Sequence, residues 1–234
     1  MGSGDLRPGN DLLRALDDTA YRRLGGRLRA VPLSARLILY RANEPIHQVY
    51  FPETAVVCFI AVMKDGSTIE SAAVGLEGAT WLSSAVGLAT SPYDTIVAVA
   101  GNASVLDIED FNREVQQNEQ FSTRVNRHVH ALLLHSLRMT ACTGLHSLEQ
   151  RCARWFLIAF DRVSQDQLAI THEFLATLLG AARPSVSAVI EDFQKRGILK
   201  LERGRVLVTD REALLAASCE CYDAIQRGYD HVRR

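Results

Sequence analysis

The sequence predicts an α+β chain: a strand-rich N-terminal half, then one long helix, then a helix-rich final third. Three observations carry this reading. Short β-branched runs separated by turn residues fill the stretch from about Leu33 to Leu106. From Ile108 to His146 there is no Pro, and no Gly before Gly144. Beyond that point apolar residues recur at helical spacing, punctuated by Gly180, Pro184 and Gly197.

Taken in order, residues 5–30 place Leu12, Leu13, Leu16, Leu24 and Leu28 at roughly helical spacing among charges, which predicts a short amphipathic helix. The expected strands follow at Leu37–Tyr40, Val49–Phe51, Val56–Val62, Thr95–Val99 and Ser104–Ile108. Turn material separates them, including Lys64-Asp65-Gly66-Ser67, Ser91-Pro92-Tyr93-Asp94 and Gly101-Asn102. Asp-Gly between apolar runs is a hairpin signal, and this density of short strands suits a β-roll, barrel or sandwich.

The long helix, expected over 111–146, could run roughly 40 Å. It either packs on its own domain or forms a two-stranded dimer seam, and its length favours the seam. One register places Val125, His128, Leu132, His135, Met139 and Cys142 on the a/d stripe. A neighbouring register through Val129, Leu133, Ser136 and Thr140 competes with it. The expected interface residues are Val125, His128, Val129, Leu132, His135, Ser136 and Met139, so replacing Leu132 and Met139 with Glu should give monomers.

A helix from Leu148 to Val163 comes next, and the most informative stretch starts at Ile170. Thr171 is a fair N-cap for a helix that buries Phe174, Leu175 and Leu178. Gly180 suits the left-handed turn that ends that helix. Pro184 fits the first turn of a second helix, where its missing N–H costs nothing. Val186, Val189, Ile190 and Phe193 form the second helix's buried stripe, which leaves Arg183, Ser185, Ser187 and Ala188 outside near its start. Gly197 stops this helix, and Lys200–Val208 reads as strand, turn at Arg203-Gly204, strand.

Two short helices around a tight Gly turn make a helix-turn-helix, and the hairpin after them makes a wing. In such a unit the start of the second helix enters the major groove, where Arg183 can address a guanine edge. The expected DNA contacts are Thr171, His172, Arg183, Pro184, Ser185, Ser187, Lys195, Arg203 and Arg205. Between 171 and 205 there are six basic and four acidic residues.

Composition narrows the function further. The 234 residues carry 26 basic and 27 acidic side chains, a formal net charge of −1, so DNA binding must rest on a local patch. No apolar run reaches the ~18–20 residues of a membrane span. No signal-peptide pattern opens the chain, and Cys58, Cys142, Cys152, Cys219 and Cys221 follow no disulfide framework; a reducing cytoplasm is therefore expected. Cys58 and Cys152 read as core thiols, whereas Cys219 and Cys221, two apart on one expected helix from about Glu212, would point in different directions. No phosphate-binding loop, Gly-x-Ser-x-Gly elbow or His-Glu-x-x-His is present, because His172-Glu173 is followed by Phe174, Leu175 and Ala176. No enzyme activity, catalytic residue, metal or membrane partner is expected.

The order of parts resembles the Crp/Fnr family of bacterial transcription regulators. The resemblance is most specific in Ser147–Phe156 and 170–208, and extends to Val49-Tyr50-Phe51-Pro52 and Gly75-Leu76-Glu77-Gly78. It implies a cyclic-nucleotide-binding-like β-roll at 5–110, a dimerisation helix at 111–146, a winged helix-turn-helix at 147–213 and a helical tail at 214–234. Homodimers on double-stranded DNA are implied, with RNA polymerase as a further partner. By the family's pattern Arg183 falls on the first base-reading position, while Pro184 stands where Glu is usual and Ala188 where Arg is frequent.

Cyclic-nucleotide binders of the family use a Glu for the ribose and an Arg for the phosphate. Gly75, Glu77 and Gly78 are the candidate ligand residues here. Between Lys64 and Arg113, however, there is no Lys or Arg and there are seven acidic residues. A phosphate without a cationic partner is costly to bury, so cyclic AMP is not expected to bind, and no cofactor is evident. The N-terminal third also lacks the Cys cluster that an iron–sulfur centre needs. The competing reading is a small-molecule-binding module acting through protein partners; Arg183 and the wing arginines favour DNA.

Overall fold

The computed structural model describes residues 8–80, 87–163 and 167–233. Residues 5–7 of the expected N-terminal helix lie outside them. The remainder of that segment forms two helices, α1 (Asp11–Arg14) and α2 (Asp18–Gly25), because Asp17 accepts hydrogen bonds from the Thr19 and Ala20 N–H groups and starts a second cap.

Among the described residues seven antiparallel strands build the roll: β1 (Arg29–Leu33), β2 (Ile38–Tyr40), β3 (Gln48–Pro52), β4 (Val56–Val62), β5 (Thr68–Val74), β6 (Asp94–Val99) and β7 (Gly101–Asp107). One sheet has the order β1-β7-β3 and the other β2-β6-β4-β5. Val57 and Phe59 of β4 face the roll interior with Leu33, Val74 and Val97. The alternate residues Val56, Cys58 and Ile60 join a second core formed with the C-terminal helices. That double burial explains why β4 reads as a continuous apolar run rather than an alternating one.

The expected 111–146 helix is broken. Ile108–Gln117 is α3 and Glu119–Leu145 is α4, of 27 residues. Between them Asn118 leaves helical geometry, and its side chain accepts from the Phe121 N–H at 3.0 Å.

The orientation of α4 turns the first of the two expected stripes inward and leaves Leu133 and Thr140 of the competing one exposed. Val125, His128, His135 and Met139 are buried inside the chain itself, and Leu132 packs against the roll core. His128 lies against Gly78 and the Tyr229 ring, and His135 Nδ1 is 3.1 Å from the Tyr229 hydroxyl. Val129 and Ser136 are half-buried. The outward face carries Leu133, Leu134 and Leu137 instead, 43–60% exposed.

The last third contains α5 (Leu148–Arg162), β8 (Gln167–Ala169), α6 (His172–Leu179), α7 (Arg183–Lys195), β9 (Leu199–Glu202), β10 (Arg205–Val208), α8 (Arg211–Ala217) and α9 (Cys221–Arg233). Ser147 and Gln150 form a capping box at the start of α5. The single helix expected from Glu212 is two, so Cys219 sits in a connection and Cys221 opens α9. Both thiols are buried together with Cys142. Cys58 and Cys152 are core thiols. Among the described residues no single helix is long and apolar enough to cross a membrane.

Candidate nucleic-acid interface

Thr171 caps α6 by accepting from the Phe174 N–H at 3.2 Å. Phe174, Leu175, Leu178 and Leu179 are then buried, and Gly180 ends the helix in the left-handed region at φ +58°. The chain turns by 112° into α7, within the range of a helix-turn-helix. Val186, Ile190 and Phe193 anchor α7. Arg183, Pro184 and Ser185 are exposed together at its start.

The other expected contact residues are distributed differently. Ser187 is half-buried, its hydroxyl 2.9 Å from His172 Nδ1, so this pair fastens α6 to α7. Lys195 is exposed in the last turn of α7, about 18 Å along the axis from Arg183 at 1.5 Å per residue. Arg203 and Gly204 both take positive φ, +48° and +79°, as a two-residue hairpin turn of the I′ kind requires. This turn joins β9 and β10, β8 adds a third strand, and Arg203 and Arg205 are exposed on the wing.

Among the described residues Arg183, Lys195, Arg203 and Arg205 have no carboxylate ion pair, whereas Arg196 is taken by Glu149 and Asp192 and Lys200 by Glu202. The free cations therefore lie at the ends of α7 and on the wing, where phosphates or base edges can meet them.

Residues 150–217 match the Crp-like helix-turn-helix domain family. This part of the chain is a Crp-like helix-turn-helix domain. Over 80–88% of its length the chain shares the fold of solved Crp/Fnr regulators. It is similar to a putative Crp/Fnr-family transcriptional regulator from Eubacterium rectale, with 16% identity over 88% of this chain and 96% of that one and a TM-score of 0.66. It is similar to FixK2 from Bradyrhizobium japonicum, with 15% identity over 82% and 98% and a TM-score of 0.66. A third neighbour is the CRP-family transcriptional regulator TTHB099 from Thermus thermophilus, at 20% identity over 80% and 96% with a TM-score of 0.65. A comparison with curated protein sequences finds no match.

Contacts between this Crp-like domain and the roll were hidden from sequence reasoning. Arg36 donates to the Thr171 hydroxyl at 2.6 Å and lies 5.2 Å from the Phe174 ring centre. Ile69 of β5 fits under Gly180, where a Cβ would stand 2.8 Å from its Cδ1. Trp155 Nε1–H and the Cys58 thiol both donate to Glu70, each at 3.0 Å. Arg36 and Thr171 are 135 residues apart, and no local pattern announces such a pair.

The candidate ligand residues of the roll are likewise engaged by helices. Glu77 is buried and pairs with Arg162 of α5 at 2.8 Å, while also accepting from the Gly75 N–H at 3.1 Å. A Cβ on Gly75 would lie 2.7 Å from Arg162 Cβ, and one on Gly78 only 1.7 Å from His128 Cε1. These glycines therefore admit close approach of α5 and α4. Glu77 does border a cleft, whose other walls include Asp161, Arg162, Tyr222 and Tyr229. The cation missing from the strand-rich half is thus supplied by Arg162, far along the chain.

Proposed function

We propose that the protein is a homodimeric, sequence-specific DNA-binding transcription regulator that reads an inverted repeat through the start of α7. The observation that carries the proposal is the convergence of unpaired Arg183 with exposed Pro184 and Ser185 at the start of a helix held at 112° to its partner. Arg183 can bind a guanine edge bidentately, and Ser185 can reach base or phosphate. Lys195, Arg203 and Arg205 serve as phosphate contacts that set register. Thr171, His172 and Ser187 act mainly by holding the two helices in place.

The dimer forms along the outward face of α4, through Leu133 and Leu137 with Asn126, His130 and Thr140 at heptad spacing. Leu134 flanks this seam. No catalytic role is assigned, and the site of action is the cytoplasm, with RNA polymerase as a downstream partner. The roll does not take cyclic AMP in the family's usual manner, because Glu77 and Arg162 neutralise one another and neither is left for ribose or phosphate. Selection of bound duplexes from a random pool, using the purified protein, tests the reading. It should enrich inverted repeats with half-site centres about one helical turn, 34 Å, or a multiple of it apart. No enrichment, or enrichment of single asymmetric sites by a monomer, would contradict it.

A further inference from the structure

Apart from the helix-turn-helix, four metal-ligating side chains meet where α4 ends. Cys142 lies in the last turn of α4, His146 follows that helix, Cys219 lies between α8 and α9, and Cys221 opens α9. One ligand atom from each lies within 4.8 Å of all the others. Cys142 Sγ is 3.6 Å from Cys219 Sγ, and Cys221 Sγ is 3.6 Å from His146 Nδ1. A tetrahedral zinc site with Zn–S of about 2.3 Å and Zn–N of about 2.05 Å has S···S edges of about 3.8 Å and S···N edges of about 3.6 Å. The Cys142–Cys219 and Cys221–His146 edges already match those separations closely, and the remaining ones are within 4.8 Å.

Two further observations point to an ion rather than to thiol packing. His146 Nε2 is 3.2 Å from Glu220 Oε2. An imidazole bound through Nδ1 carries its proton on Nε2, and a carboxylate at that nitrogen is the usual orienting partner of a metal-bound histidine. Arg154 is only 1% exposed, and its Nε and Nη1 have no hydrogen-bond partner. Its charge acts on both Cys142 and Cys219. Buried guanidinium N–H groups left without an acceptor are costly. Three thiolates, a neutral imidazole and a divalent ion sum to one negative charge, which Arg154 balances.

We propose that Cys142, His146, Cys219 and Cys221 bind one Zn²⁺ in a closed Cys₃His site. Binding expels one proton from each thiol and leaves no open coordination position, so the ion is structural rather than catalytic. A single connecting residue, His146, separates the end of α4 from Ser147, the cap of α5. The ion therefore pins the junction between the long helix and the helix-turn-helix domain to the α8–α9 connection. Removing it frees α9 and the angle at which the DNA-binding domain is held. The proposal stands independently of the DNA reading, since metal content is measured without DNA.

The test uses the full chain, purified under reducing conditions without chelator. Mass spectrometry of total metal should find about one zinc per chain, and Cys219→Ser/Cys221→Ser should retain under about a tenth of that. A strong chelator should lower the melting temperature of the wild type and leave that of the variant unchanged. Because the variant could fold poorly, the stripped wild type is also titrated with Co²⁺. Thiolate-to-cobalt charge-transfer and tetrahedral d–d bands should saturate at one equivalent. Substoichiometric zinc after loading, with no cobalt–thiolate band, would overturn the proposal. So would a Cys142–Cys219 disulfide persisting in reducing buffer.

Discussion

Replacing Arg162 with Met removes the cation that faces Glu77 and leaves a carboxylate in a site that is only 3% exposed. The Arg162 side chain is itself 6% exposed, so neither charge has appreciable access to water. Its guanidinium also lies 5.3 Å from the Tyr229 ring centre, which couples the pair to α9. Breaking such a pair from one side costs about 3–5 kcal/mol, because the Gly75 N–H alone cannot compensate Glu77. For a chain of this size that is a fall in melting temperature of roughly 10 °C. In Arg162→Met/Glu77→Gln the orphaned charge is gone, and stability should recover by about 2 kcal/mol relative to the single variant. Urea denaturation at pH 7.5, followed by both circular dichroism and tryptophan fluorescence, measures this. A loss under about 1 kcal/mol for Arg162→Met, or a double variant no better than the single, would refute the buried pair as described.

Three further predictions follow from the same packing. Burial lowers the pKa of His128 to about 4 and that of His135 well below its usual value, so both histidines are neutral in the folded chain. The unfolded chain takes up their protons below about pH 6.5; stability is therefore full above that pH and falls by up to about 1.4 kcal/mol per pH unit for each histidine as acid is added. A stability flat between pH 7 and 5 would contradict this. Leu133→Glu/Leu137→Glu should give folded monomers in sedimentation velocity, whereas Met139→Glu should unfold the chain because Met139 packs with Ile158, Ile225 and Tyr229; a folded Met139→Glu monomer would restore the inward stripe as the dimer seam. Gly180→Ala should cost about 1–2 kcal/mol for the left-handed backbone alone, with the Ile69 contact adding to it, and an unchanged melting curve would show that the turn relaxes.

The helix-turn-helix was legible because each of its signals is local. Thr171, Gly180, Pro184 and Arg203-Gly204 specify caps and turns within a few residues of themselves. The strands of the roll were partly legible. β5 was missed because Glu70 interrupts its apolar pattern, and Glu70 is there to receive Trp155 and Cys58 from outside the strand. β1 contains Pro32, which is tolerated only because β1 is an edge strand. The outward stripe of α4 could not be chosen from sequence, since the helix has one apolar face toward its own chain and another toward solvent. The partner of Glu77 was likewise out of reach, because Arg162 comes from a different element. The Cys219–Cys221 cluster was not legible, because Ser218 ends α8 and leaves Cys219 in a connection while Cys221 opens a separate helix, α9.

The most direct test of the DNA-reading account is Arg183→Ala, measured against the selected operator and a scrambled duplex at one fixed salt concentration. Arg183 is the only long donor at the start of α7, because Pro184, Ser185 and Ala188 are too short or too apolar to replace it. The account predicts a loss of roughly 1–3 kcal/mol per half-site on the operator. Binding to the scrambled duplex should weaken far less, because Lys195, Arg203 and Arg205 still meet phosphates. An equal loss on both duplexes would contradict the account and make Arg183 a phosphate anchor.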